Sequence, residues 1–340
     1  DGLVKTAGNN EPRFDHDPST LDSLGLMIER ERTNLIVYSV INTANWNNSA
    51  STVTNNTTET KAPDGSDTAF KYVPNNGSVG WVSVYNTANP ISLTSGTTYA
   101  YTVWAKPTHS DFTGFRINGD IRDGGGINIS ANFVLSGDGS VSGTYDSASI
   151  TKYPDGWYRC VATATSDATT DEEPGFRNIT NGDGTKGFYA WGYQVEEGSF
   201  STSYIPTNGS TVTRGADIAI IKGTNFTDWY NETESTIHFE SSIAPTNNSK
   251  YFTFHGNDGG GAELIEGAAV SGPGANIFTY ANSTTYVNIS VTDSSATTIK
   301  YAAGIKANDN NLAVNGTLGT TDTSSTQPDA LDKLIIGNYS

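Results

Sequence analysis

A chain of 340 residues is longer than one ordinary domain and suits two, each able to bury a core of its own. Apolar residues at 35% keep it in the globular class, and charged residues at only 16% leave a surface of Asn, Ser, Thr and Gly, which suits short strands and turns. A net charge of -17 argues against nucleic acid or an anionic membrane surface as partner, no run of about 18 apolar residues exists for membrane insertion, and the single cysteine, Cys160, excludes an internal disulfide.

Residues 1–35 form an extended N-terminal leader. Pro12-Arg13-Phe14-Asp15-His16-Asp17-Pro18, Ser23-Leu24-Gly25-Leu26-Met27-Ile28-Glu29 and Arg32-Thr33-Asn34-Leu35 sustain no helical or strand period, which predicts extended chain with turns. Asp15, His16 and Asp17 invite a metal or acid–base reading. His109, His238 and His255 lie far off without ligand spacing, so Asp15 and Asp17 are read as shaping the turn at Pro18. The chain begins at Asp1 with no signal-like apolar segment and is expected to be a piece of a longer protein.

Residues 36–205 read as one β-sandwich. Tyr99, Tyr101, Val103 and Ala105 alternate with Thr102, Trp104 and Lys106, and Ile127, Ile129, Ala131, Phe133 and Leu135 alternate with Asn128, Ser130, Asn132 and Val134. Both patterns predict strands buried on one face. Gly137-Asp138-Gly139 and Pro154-Asp155-Gly156 supply turns, and Cys160 is read as one small buried strand residue. In Lys186–Arg214, Tyr189, Trp191, Tyr193 and Val195 are predicted to share one apolar face, until Glu196-Glu197-Gly198, Pro206 and Asn208-Gly209-Ser210 end the pattern. Residues 206–217 are then a linker.

Residues 218–340 read as a second all-β unit with strands around Thr236–Ser241, Lys250–His255, Ala275–Tyr280, Thr285–Val291 and Lys300–Ala303. Near its end stand Leu312-Ala313-Val314-Asn315-Gly316 and Lys333-Leu334-Ile335-Ile336-Gly337. The fold class expected is therefore all-β, two consecutive jelly-roll-like β-sandwiches after the leader.

Three motifs carry a resemblance. The first is the leader order Arg-Phe-Asp, Leu-Gly-Leu-x-Ile-Glu, Arg-Thr-Asn-Leu; the second is Pro154-x-Gly156-Trp157-Tyr158-Arg159-Cys160. The third is Trp191-Gly192-x-Gln194-x-Glu196-x-Gly198 with Ser203-Tyr204-Ile205-Pro206-Thr207 and Thr213-Arg214-x-Ala216-Asp217. Together they resemble a carbohydrate-binding-module-like jelly roll of bacteriophage tail-fibre and other virion structural proteins. The end of the second unit resembles a concanavalin-like, laminin-G-like sandwich, a family that continues into one more strand, so truncation at the C-terminus is expected. The resemblance implies a non-enzymatic virion protein, a tail fibre or appendage that recognises host-surface glycans. It also implies a homo-oligomer, a trimer, with other virion proteins as partners. A ligand-free capsid decoration protein and a secreted glycan-binding accessory module of a carbohydrate-active enzyme are the alternatives.

The chemistry visible in the residues is sparse. Glu240 is the only acid in its strand, and Glu263 and Glu266 are three apart and fall on opposite faces, so the paired carboxylates of a glycanase are missing and no enzyme is expected. Gly124-Gly125-Gly126 and Gly259-Gly260-Gly261 read as loops rather than phosphate cradles. No cofactor is expected; structural calcium is weighed at Asn181-Gly182-Asp183-Gly184 and Asn257-Asp258-Gly259 against plain turns, the preferred reading. Trp81, Tyr85, Trp104 and Arg116 are the carbohydrate-binding candidates, weighed against core packing, whereas Trp157 and Trp191 are assigned to the core. Sequons such as Asn178-Ile179-Thr180 and Asn288-Ile289-Ser290 are read as a by-product of composition.

Overall fold

Strands dominate the chain, as short β-rich runs between Gly, Asn and Pro require. The computed structural model describes all residues except 1, 2, 9, 84–89, 120–125, 242–249, 258–261, 271–273, 282–283, 293–297 and 338–340. Contacts divide the chain into two units, Asp1–Ala216 and Asp217–Ser340.

The first unit opens with a hairpin of β1 (Phe14–His16) and β2 (Ser23–Leu26), then β3 (Arg32–Asn34). Next come β4 (Asn47–Ser49), β5 (Ser51–Thr54), β6 (Phe70–Pro74), β7 (Trp81–Ser83), β8 (Ile91–Leu93) and β9 (Thr98–Pro107). They are followed by β10 (Phe115–Asn118), β11 (Ser130–Val134), β12 (Ser140–Thr144), β13 (Ser147–Lys152) and β14 (Tyr158–Thr165). The last are β15 (Thr170–Glu172), β16 (Gly175–Asn178), β17 (Phe188–Glu197) and β18 (Val212–Arg214). Two six-stranded antiparallel sheets result, ordered β12-β11-β10-β16-β7-β4 and β13-β14-β9-β17-β6-β5. Their inner faces form the core, where Phe115 of one sheet stacks on Phe188 of the other with centroids 4.7 Å apart. Cys160 is fully buried in this core.

The two outer faces differ. On the second sheet, Trp104, Trp191, Trp157 and Tyr189 form a satellite cluster against Ala62 and Ala69, with Val4, Tyr153 and Tyr204 packed on it. β9 is therefore buried on both faces rather than one, Ala100, Thr102 and Trp104 being as inaccessible as Tyr101 and Val103. β17 also departs from its alternation. Phe188, Ala190, Tyr193 and Val195 face the core while Tyr189 and Trp191 point into the satellite cluster. The reason is an irregularity in the pairing with β9 between Trp191 and Gln194, centred on Gly192 at φ 64°. One extra residue there reverses which side chains face inward.

The motif residues lock this cover in place. Gln194 Oε1 accepts from Ile205 N at 2.7 Å, and Glu196 Oε2 accepts from Thr202 N at 2.9 Å. Ser39 Oγ lies 2.7 Å from the Tyr204 hydroxyl, whose pKa burial pushes up to about 12. The leader is more structured than extended chain: β1 and β2 pair, and β3 pairs with β18. Glu29 ties it down, pairing with Arg13 at 2.7 Å and Arg214 at 3.0 Å and accepting from Ser203 N at 2.8 Å. At the hairpin, Asp17 Oδ1 accepts from Ser19 N, Thr20 N and the Ser19 hydroxyl, which lowers its pKa and makes it the expected turn residue.

The second unit begins with β19 (Ala219–Lys222) and a single-turn helix α1 (Thr224–Thr227), then β20 (Glu234–Ser241), β21 (Lys250–Asn257), β22 (Ala262–Ala269) and β23 (Gly274–Ala281). β24 (Thr284–Thr292), β25 (Ile299–Lys306), β26 (Asn311–Val314), β27 (Thr317–Leu318) and β28 (Leu331–Ile336) complete it. A six-stranded sheet, β19-β28-β21-β22-β23-β24, and a four-stranded sheet, β20-β25-β26-β27, enclose a core that includes Phe252, Ile277, Tyr301 and Leu312. The chain is thus all-β, two jelly-roll-like sandwiches behind an N-terminal leader.

Candidate functional site

The first sheet of the first unit places a row of polar and aromatic residues on its outer face. Val82, Phe115, Ile117, Ala131, Phe133 and Phe176 alternate into the core, so their neighbours point out. Register then aligns those neighbours across the sheet: Ser142 opposite Asn132, Asn132 opposite Arg116, Arg116 opposite Arg177, Arg177 opposite Trp81, and Trp81 opposite Ser49. Trp81, Arg177, Arg116 and Asn132 are half-buried, and Ser49 and Ser142 at the two ends are exposed. Arg116 Nε donates to Asn132 Oδ1 at 2.6 Å, which fixes the guanidinium over the sheet.

Of the four expected binding residues, the sheet brings Trp81 and Arg116 together on this face, with Arg177 between them. Tyr85 lies outside the described residues. Trp104 is corrected: it sits on the other sheet, 3% exposed, with Trp191 and Tyr204 at centroid distances of 5.4 and 6.0 Å and the Arg159 guanidinium 5.2 Å over its ring. Both of its faces are occupied by protein, so it has none to offer a ligand. Sequence reading misses Arg177. The signal available was the in–out alternation of Phe176 and Arg177, but which strand lies beside β10 cannot be read from spacing.

The other candidate chemistry is taken up locally. Asp183 Oδ1 accepts from Thr185 N and Lys186 N, both at 2.8 Å, and from the Thr185 hydroxyl; these bonds hold its carboxyl well below the usual range, so it serves as a turn residue. Asp258, Gly124, Gly125 and Gly259–Gly261 lie outside the described residues. No group of three or more metal-ligating side chains occurs among the described residues. Glu263 is buried while Glu266 pairs with Lys250, and Glu240 points outward from the other sheet near Lys300 at 3.8 Å. Hollows of about 360 Å³ beside Ile220 and Lys333, and of about 240 Å³ beside Arg159 and Phe200, bring no two carboxylates together. Asn178, the first sequon residue, is buried and accepts from the Tyr72 hydroxyl at 2.7 Å. No helix among the described residues is long and apolar enough to cross a membrane.

No protein-family model matches the sequence, and no curated protein matches it. Among solved structures, the LG1-3 region of the laminin alpha2 chain is similar at 11% identity with a TM-score of 0.29, over 74% of this chain and 59% of that one. The chain therefore spans less than two thirds of that structure's length.

Proposed function

We propose that this chain is a non-enzymatic structural protein of a bacteriophage particle, a tail fibre or similar appendage, whose first sandwich recognises host-surface glycans. The observation that carries the reading is the outer row of Trp81, Arg177, Arg116 and Asn132. An aromatic ring beside planar donors and an amide is what a sugar needs, since its apolar ring face stacks while its hydroxyls take hydrogen bonds. The particle, the homotrimer and the neighbouring virion proteins come from the resemblance of the leader and the Trp191–Thr207 motif to phage virion proteins. The scatter of Glu240, Glu263 and Glu266 over different faces supports binding without turnover, and no cofactor or metal enters the reading.

The test is retention of the full chain on an array of bacterial surface polysaccharides, with Trp81→Ala beside it. The parent chain is expected to select at least one glycan, and the variant, with an unchanged near-UV circular dichroism spectrum, to bind it about tenfold or more weakly. Retention of no glycan, or equal binding by Trp81→Ala, would count against this face.

A further inference from the structure

The strand at each edge of a sheet leaves a row of backbone N–H and C=O groups unpaired, and proteins blunt such edges by keeping them short or by placing charges on them. Among the described residues, the edge strands of the four sandwich sheets follow this rule with one exception. β4, β5, β12, β19 and β27 have five residues or fewer, β13 carries Lys152, and β20 carries Glu234 and Glu240. β24 is the longest of these edges, nine residues without a charge, a proline or a glycine. Its ladder with β23 is regular from Val287 to Thr292. Among the described residues no other backbone hydrogen bond involves β24, so its far edge is unpaired. Val287, Ile289 and Val291 are buried in the core of their own unit, while Asn288, Ser290 and Thr292 are exposed on the outer face.

We propose that this edge joins two copies of the chain, β24 of one pairing antiparallel with β24 of the other about a two-fold axis at Ile289. The strand's own sequence argues for that occupant. Pairing centred on Ile289 sets this residue opposite its own copy, Val287 opposite Val291 and Asn288 opposite Ser290. β-Branched side chains then face each other on one side of the joined sheet, and an amide faces a hydroxyl on the other. β20, the other long edge, fails the same test, because self-pairing about Ile237 would set Glu234 opposite Glu240. Since the inward side chains of β24 are already buried, the contact adds backbone hydrogen bonds rather than apolar burial. These have to outweigh the entropic cost of association, so the contact is weak and concentration-dependent. A net charge of -17 also disfavours random association between copies. The two-fold axis makes the number of chains even: two, or six where two trimers of the kind proposed above meet.

The experiment measures the mass of the full chain by sedimentation over a range of concentrations at physiological salt. Two double variants stand beside it, Asn288→Lys with Ser290→Lys, and Asn288→Glu with Ser290→Glu. Both positions are exposed and lie opposite Phe278 and Asn276 on β23, so each variant is expected to keep the parent's near-UV circular dichroism. The parent is expected to rise with concentration to an even number of chains. Each variant alone is expected to lower that mass about twofold, because like charges then stand directly opposite across the two-fold axis. An equimolar mixture of the two variants is expected to regain it, because lysine then opposes glutamate. A parent that stays a single chain at every concentration would overturn the proposal and leave this edge to a strand of an unlike protein. An odd number of chains, or a mass that neither variant changes, would overturn it by placing the assembly on another surface. A halved mass without recovery in the mixture would overturn the pairing centred on Ile289.

Discussion

Asn34 joins three segments remote in sequence. Fully buried, it donates from Nδ2 to Ile205 O at 2.9 Å and accepts at Oδ1 from Ile36 N at 3.1 Å and Val195 N at 3.2 Å. Asn34→Ala would strand two N–H groups and one carbonyl away from water, at a cost of about 2–4 kcal/mol. The readout is the urea midpoint of the full chain followed by tryptophan fluorescence, in which Trp229 is the second unit's sole contributor. Asn48→Ala, at an exposed position, should move the midpoint by less than about 0.5 kcal/mol, and equal shifts for the two variants would deny Asn34 its joining role. The same residue scale shows what the sequence could say about the site. Trp81 and Arg116 are legible there because each is a large or charged side chain beside strand-forming residues. Arg177 is not, because its meaning lies in the residue opposite it, and register belongs to the folded sheet.

At the scale of elements, β17 carries the most information and the most misleading pattern. Its bulge lets Tyr193 and Val195 fill the core while Trp191 turns outward to meet Trp104 and Tyr204. Gly192 sits at φ 64°, and a Cβ there would lie 3.3 Å from both the Trp104 and the Tyr204 rings. Gly192→Ala should therefore cost about 1–2 kcal/mol from backbone conformation, with crowding added. Gly215→Ala is the matched control. Its Cβ would meet nothing within 4 Å and its φ is not positive, so stability should stay within about 0.5 kcal/mol or rise slightly. A thermal melt compares the two, and similar Tm values would mean that the bulge is not under this constraint. The strands themselves were readable from alternation and turn residues. The bulge was not, since Trp191 and Tyr193 are two residues apart and an even spacing in sequence says one face until a register irregularity is known. Nor could alternation reveal that the outer face of β9 is covered, because the cover comes from Tyr204 and the segment around Ala62.

Over the whole molecule, both units rely on buried aromatics, with the lone thiol of Cys160 raised by burial. Phenols are part of that packing. Burial raises Tyr72 and Tyr193 in the first unit and Tyr301 in the second well above the ordinary range, and pushes Tyr204, Tyr230 and Tyr251 up to about 12. In the unfolded chain these phenols ionise near pH 10, while the folded units keep them neutral. A raised folded pKa means that their contribution is whole below pH 10 and is lost as the pH climbs from about 10 toward 12. Because each unit has its own buried phenols, both should fail in that window. An alkaline titration followed by phenolate absorbance and near-UV circular dichroism checks this. The absorbance of the buried tyrosines should appear together with loss of the dichroic signal, as one cooperative event in each unit. Ionisation of all 17 tyrosines at constant dichroism would mean that these phenols reach solvent without unfolding and that the packing around them is looser than the aromatic contacts require.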